Sequence, residues 1–212
     1  MIRTKATTLM ALLGVVAVSA TVSASALATP AYYIEGKAIT TNESVTGTSG
    51  TSTLTSTVLG VPFEIVSTRS KVSGSISPGG TSKYTVTFEE NTVKSPAGCK
   101  LSEAVQHSFS TTALSGQLSE EGTGFLTTFA ETPVFEITLS RCTNNWWNGS
   151  HLVSGSVGAT EPGTESIEQP LSFSKTTHDD LTWLGGNLFT ITTTANLKLS
   201  GVNKGKKFGI DS

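Results

Sequence analysis

The chain has 212 residues, of which 14% are charged, and its 14 Lys and Arg against 16 Asp and Glu give a formal net charge of −2 at pH 7. This near balance gives no electrostatic reason to expect nucleic acid or an anionic membrane surface as a partner. The length allows one domain with a sizeable core. Ser, Thr and Gly are abundant, which is typical either of an exported β-protein or of a flexible low-complexity stalk.

The first 28 residues carry the features of a secretory signal peptide. Arg3 and Lys5 form a short basic region, an apolar run follows over residues 9–18, and small residues end at Ala26-Leu27-Ala28. The apolar run is shorter than the roughly 20 residues that span a bilayer. We therefore expect cleavage after Ala28 and a mature chain, residues 29–212, without a membrane span. This chain is predicted to be secreted, extracellular or associated with the cell envelope.

The mature chain divides by composition at about residue 56. Residues 29–56 are rich in Ser, Thr and Gly and are predicted to form a partly flexible N-terminal segment. Residues 57–212 are predicted to form a β domain, because apolar residues occupy alternate positions, most clearly from Tyr84 to Phe88, from Phe135 to Leu139 and from Phe189 to Leu199. No mature segment sustains the spacing of an amphipathic helix. The pattern predicts an all-β fold, a single antiparallel β-sandwich or β-barrel domain.

Turn residues and glycines add two expectations for this domain. Pro96 and Gly98 predict a loop over residues 91–98 that leads into Cys99. An apolar residue followed by Ser-Gly recurs along the chain, with glycines at Gly74, Gly116, Gly155 and Gly201. Glycine within a strand often marks a bulge or a close backbone approach, although a chain rich in Ser and Gly also produces such tripeptides by chance.

Cys99 and Cys142 are the only cysteines of the chain. Two cysteines in an exported protein are predicted to be joined, and no C-x-x-C spacing indicates a redox motif. The sequence therefore predicts a structural disulfide. Such a bond would attach the loop before Leu101 to the end of the strand over residues 135–139.

The sequence contains no motif that predicts catalysis or metal or cofactor binding. G-x-S-x-G, H-E-x-x-H, EF-hand and phosphate-binding glycine-loop patterns are all missing from it. Its three histidines, His107, His151 and His178, lack metal-ligand spacing. The cluster His178-Asp179-Asp180 could join a distant serine in a hydrolase triad, but it is more typical of a solvated turn. We predict no enzyme activity, no catalytic residues, no metal and no cofactor, and rank a hydrolase third among the functions considered.

The stretch from Cys142 to His151 is the candidate binding loop. It contains Trp146 and Trp147 together with Asn144 and Asn148. Tryptophan rings stack on the apolar faces of sugars, and amide side chains satisfy sugar hydroxyls. The alternative is that one tryptophan fills the core beside the disulfide while the other covers a sheet edge. Under the first alternative these four residues would bind a carbohydrate, such as a cell-surface glycan, or another small ligand.

The chain resembles exported proteins of actinobacteria that have no assigned activity. The resemblance lies in Ala26-Leu27-Ala28, in Ala97-Gly98-Cys99 and Ser140-Arg141-Cys142, and in the ending from Leu197 to Gly209. It implies a bacterial source. The sequence as a whole predicts a non-enzymatic β-domain protein of the cell surface or extracellular space, with a carbohydrate- or small-ligand-binding module as the alternative.

Overall fold

The computed structural model describes residues 29–122, 124–174 and 180–211, so the predicted signal peptide and the pair His178-Asp179 lie outside the described residues. Within these ranges the fold is all-β, as predicted. One short helix, α1, spans Glu103–His107. None of the described helices is long and apolar enough to cross a membrane. The strands are β1 (Ala31–Ile34), β2 (Lys37–Ala38), β3 (Glu43–Ser49), β4 (Ser52–Val58), β5 (Val61–Ser77), β6 (Thr81–Ser95), β7 (Lys100–Leu101), β8 (Ser108–Ser110), β9 (Leu114–Glu121), β10 (Gly124–Ser140), β11 (Gly149–Glu161), β12 (Gln169–Phe173), β13 (Thr182–Trp183), β14 (Asn187–Leu199) and β15 (Phe208–Asp211).

The larger sheet closes on itself, so that the predicted sandwich-or-barrel domain is a barrel. Successive strands β5, β6, β9, β10, β11, β12 and β14 pair antiparallel in that order around the ring. The remaining position between β14 and β5 is shared by β3 and β4, which follow one another along the same neighbours. The seam between β11 and β12 has only two residue pairs, and β13 bridges β11 and β14 beside it.

The alternation of apolar residues arises because one face of each strand points into the barrel. In β14 the residues at alternate positions from Phe189 to Leu199 are buried, and those between them are mostly exposed. In β6, Tyr84, Val86 and Phe88 are likewise buried, and Thr85 and Thr87 between them are half-buried. Side chains fill the interior, where the cavity bordered by Phe88 and Val157 measures only about 10 Å³, no more than the minimum that a single water molecule needs.

The N-terminal segment belongs to the same fold, which differs from the expected boundary at residue 56. Strands β3 and β4, within residues 43–58, pair with β5 on one side and β14 on the other. The inward positions of this segment mix apolar residues such as Val45 and Leu54 with Gly47 and Ser52, which interrupts the apolar alternation. Gly47 faces Leu197 so closely that a Cβ there would lie 2.7 Å from Leu197 Cδ2. The Ser- and Thr-rich composition of this segment arises because the outward-facing residues of β3 and β4 are mostly hydroxyl residues.

Three of the four recurring Ser-Gly glycines mark close approaches. A Cβ at Gly74 would lie 2.8 Å from the Tyr84 ring, and one at Gly116 would lie 2.5 Å from the Phe129 ring. Gly155 lies equally close to Asp180, whereas Gly201 has nothing within 4 Å. Aromatic rings thus cover glycines inside the barrel, where any larger residue would collide with the ring.

The two ends of the barrel are covered by different structures. At one end, which we call the Trp end, lie the β4–β5 and β13–β14 turns, the disulfide and the 3-10 helix Asn145–Trp147. At the other, the Glu end, a three-stranded sheet of β2, β1 and β15 covers the opening. The 3-10 helix Pro78–Gly80 lies against this end sheet, because a Cβ at Gly80 would meet the backbone oxygen of Pro30.

Candidate functional site

The predicted disulfide is present at the Trp end. Cys99 and Cys142 are bonded, with their Cα atoms 4.0 Å apart. Strand β7 follows Cys99 and pairs with the end of β10 at Leu139 and Ser140. The bond therefore attaches the loop before Leu101 to the end of β10, as the sequence predicted, and forms the base from which the loop of residues 142–149 projects.

Trp147 is a core residue. Its side chain is fully buried, and its ring stacks on Phe63 with centroids 5.4 Å apart and an interplanar angle of 16°. Trp183 contacts the same rings, at 4.3 Å from Phe63 and 5.7 Å from Trp147. A ring nitrogen of His151 lies 2.9 Å from the backbone oxygen of Trp147, and Trp183 donates to the Ser56 hydroxyl at 2.7 Å. These contacts form an aromatic plug that closes the Trp end of the barrel.

Trp146 lies on the outer side of this plug. Its ring centroid is 4.3 Å from that of Trp147, the two planes are 26° apart, and the residue is 40% exposed. One face of the Trp146 indole therefore rests on a buried ring while the residue keeps solvent-accessible surface. Successive side chains of the short 3-10 helix point in different directions, which is why neighbouring tryptophans have opposite environments. Trp147 therefore fills the core beside the disulfide, whereas Trp146 stays accessible to a ligand.

The two asparagines of the predicted site also separate. Asn148 is bonded to the backbone of Cys142, accepting from its N–H at 2.9 Å and donating to its carbonyl at 3.3 Å. These two hydrogen bonds to one residue fix the loop, and they engage both the oxygen and the nitrogen of the Asn148 amide. Asn144 is exposed, and its backbone oxygen accepts from the Trp147 N–H at 3.1 Å. Trp146 and Asn144 are thus the members of the predicted set that a ligand could reach.

Two leucines at the Trp end, Leu59 and Leu188, are exposed to solvent, and Leu59 also has an unfavourable backbone conformation. The β4–β5 turn consists of Leu59 and Gly60 with φ of 50° and 77°, and Leu59 is 85% exposed. Positive φ at both positions indicates a type I′ turn, whose first position favours Asn, Asp or Gly over a residue such as Leu. Leu188, near the start of β14, is 64% exposed. It borders a depression of about 380 Å³ whose other lining residues, Thr55, Ser56, Thr57 and Thr190, all carry hydroxyls.

Asp180, the described residue of the predicted turn at His178-Asp179-Asp180, is held by hydrogen bonds to Ser156. Asp180 accepts hydrogen bonds from the backbone N–H and, at 2.8 Å, from the hydroxyl of Ser156. These bonds hold the pKa of the Asp180 carboxyl below its usual value. Within the described ranges, no three His, Cys, Asp or Glu side chains are grouped so that they could hold a metal ion.

Sequence reasoning missed a buried carboxyl at the Glu end. Glu161 is 4% exposed, and its Oε1 accepts from the Tyr32 hydroxyl at 3.2 Å and from the Thr127 hydroxyl at 2.6 Å. Burial raises the pKa of Glu161 to about 7, against the opposing effect of both hydrogen bonds. The hydroxyls of Tyr84 and Ser82 are buried nearby and interact with the Tyr32 hydroxyl. The signal was available, because Val157, Ala159 and Glu161 occupy alternate inward positions of β11.

The chain was also compared with known proteins. No protein-family model, no curated protein and no solved structure matches it.

Proposed function

We propose that this chain is a secreted, non-enzymatic binding protein of the bacterial cell surface or extracellular space, and that it binds carbohydrate at the Trp end of the barrel. The single observation that carries the proposal is Trp146, an accessible indole whose inner face rests on buried Trp147 at 4.3 Å. Export is supported by the residue pattern of positions 1–28 and is compatible with the Cys99–Cys142 disulfide.

The position of Trp146 suits stacking against a sugar ring. An exposed tryptophan on a flexible loop loses conformational freedom when it binds, whereas one that is already stacked loses little. Trp146 is held from below by Trp147, which is in turn packed against Phe63 and Trp183. The apolar face of a sugar can therefore dock on an aromatic surface that is rigid before binding. The exposed amide of Asn144, in the same loop, supplies the donor and acceptor that sugar hydroxyls require.

The surroundings of the aromatic plug support the same partner. The depression beside Leu188 is lined by hydroxyls, and it adjoins the plug because Ser56, one of its lining residues, accepts from Trp183 at 2.7 Å. Leu59 adds a second argument. Its strained, exposed position contributes nothing that we can identify to the packing of the barrel, and such outliers are often retained for contact with a partner.

The proposal is tested by measuring retention of the mature protein on an array of immobilised neutral glycans. We expect Trp146→Ala to reduce retention at least tenfold, equivalent to about 1.4 kcal/mol of binding free energy. Val202→Ala is the matched control, because Val202 is an apolar residue, 93% exposed, at the Glu end. Its retention should equal that of the wild type. Absence of wild-type retention, or equal retention by Trp146→Ala, would contradict the proposal.

Leu59→Asn separates binding from folding in the same assay. Asn is favoured at the first position of a type I′ turn, so this variant should be at least as stable as the wild type in urea unfolding. If Leu59 contacts the glycan, retention nevertheless falls. Unchanged retention would remove Leu59 from the binding surface and leave Trp146 as its centre.

A further inference from the structure

The carboxyl of Glu161 lies where the end sheet meets the barrel. Glu161 is the last residue of β11, and its Oε1 accepts from Tyr32 of β1 in the end sheet and from Thr127 of β10 in the barrel wall. One oxygen atom therefore joins the two sheets. All of these side chains are buried, so the hydrogen bonds are protected from competition with water.

The surroundings of Glu161 favour its neutral form. The titratable groups that face it are Tyr32 from β1 and Tyr84 from β6, while Thr127 from β10 and Ser82 from β6 are neutral hydroxyls. Burial raises the pKa of both tyrosines well above their ordinary value, so they remain uncharged. The ion pairs found among the described residues join other carboxylates to Lys or Arg. A buried carboxylate without a cation is costly, and the cost ends when the group reaches water.

Two strands of the end sheet, the outer strand β15 and the central strand β1, are held to the barrel differently. Strand β15 is bonded to the segment before β12, through mutual backbone hydrogen bonds of 2.9 Å between Ser166 and Phe208, and to β12 itself, through the buried side chain of its first residue, Gln169. Strand β1 pairs with β15 and β2, both within the end sheet, and Tyr32 is its buried side-chain link to the barrel. The buried hydroxyls of Tyr84 and Ser82 lie beside this link and interact with the Tyr32 hydroxyl.

We propose that Glu161 is a pH-sensitive latch, which in its protonated form fastens β1 to the barrel and in its ionised form releases β1 while the barrel stays folded. The sign follows from linkage. The group holds its proton up to about pH 7 when buried, against 4.5 when exposed. Its contribution to closure is complete below pH 4.5 and is lost as the pH rises through 7.

The test is hydrogen exchange of the mature protein at pH 5.5 and pH 8.5, expressed as protection factors corrected for intrinsic exchange. For the wild type we expect protection of β1 amides to fall about 30-fold over this interval, the change in opening constant that the two pKa values imply. Protection in β5 and β6 should stay constant. In Glu161→Gln the fall should disappear, because the neutral amide keeps the shape of the protonated acid. Glu121→Gln, an exposed neighbour at the same end, is the matched control and should retain it.

Other results overturn the latch. A constant protection of β1 in the wild type, a fall that persists in Glu161→Gln, or an equal fall in β5 and β6 would each contradict it. So would failure of Glu161→Gln to fold at pH 5.5, where the wild-type group is itself neutral. Tyr32→Phe provides a second measurement, since removing the hydroxyl should lower β1 protection already at pH 5.5. Unchanged protection in that variant would also reject the link through Tyr32.

Discussion

The barrel is closed at its Trp end by aromatic stacking and a covalent bond, and at its Glu end by a sheet that depends on buried hydroxyls and one carboxyl. At the Trp end, Trp147, Phe63 and Trp183 exclude water, and the Cys99–Cys142 bond fixes the loop above them. At the Glu end, the buried hydroxyls of Tyr32 and Thr127 donate to the carboxyl of Glu161. Apolar packing is insensitive to pH, whereas a buried carboxyl makes closure depend on it. We therefore expect the Trp end to be more rigid than the Glu end.

The largest effect on stability that tests the difference between the two ends is expected for Trp147→Ala. The side chain is fully buried between aromatic neighbours, so its removal should lower the free energy of unfolding by about 3–5 kcal/mol. Urea unfolding followed by circular dichroism measures this change. A loss below about 1 kcal/mol would mean that the plug contributes little and that the Trp end is not the more rigid one.

Removal of the disulfide is expected to have the next largest effect. Replacing both Cys99 and Cys142 with Ala opens a loop of 43 positions, and chain entropy predicts a loss of roughly 4 kcal/mol. The measurement is the urea midpoint of this double variant beside the oxidised and the reduced wild type. Equal midpoints for all three would show that packing alone holds the loop of residues 142–149 in place.

The smallest change sharpens the description of the Glu end. Thr127→Val removes one donor to Glu161 without changing shape, and should cost about 1 kcal/mol at pH 5.5. The cost should decrease at pH 8.5, because release of β1 exposes the Glu161–Thr127 hydrogen bond to water, where it is worth less. Exposed Thr192→Val is the control, expected to stay within about 0.5 kcal/mol at both pH values. A loss in Thr127→Val that grows with pH would show that Glu161 ionises in place, with β1 still closed.

Much of the fold could be predicted because a period of two survives wherever one face of a strand is buried. The alternating residues from Phe189 to Leu199 follow this logic, whereas the linkage of Cys99 with Cys142 was predicted because they are the only two cysteines of a chain expected to be exported. Closure of the ring could not be predicted, because it depends on the pairing of β14 with β3 and β4, more than 130 positions apart in sequence. The predicted loop over residues 91–98 starts later, since β6 continues to Ser95. Asn91 is buried there and bonded to Ser67, so a polar residue occupies an inward position.

The candidate site was harder to predict than the fold. The sequence identifies Trp146 and Trp147 as a pair, but only the turn of the 3-10 helix decides which of them is buried. Asn148 has the chemistry of a sugar ligand, yet its amide is engaged by the backbone of Cys142. Glu161 was recognisable by position and was missed because a lone carboxylate ending a strand is usually solvated.

The antiparallel pairing of β1 with β15 places Ala31 opposite Asp211, both in the end sheet and remote from Trp146. Any polymer, fluorophore or solid support coupled near either position would emerge on the side away from the indole. Immobilised molecules would then share one orientation, with Trp146 pointing into solution. The fold is thus suited to display its aromatic surface from a tether at the start of β1 or at the end of β15.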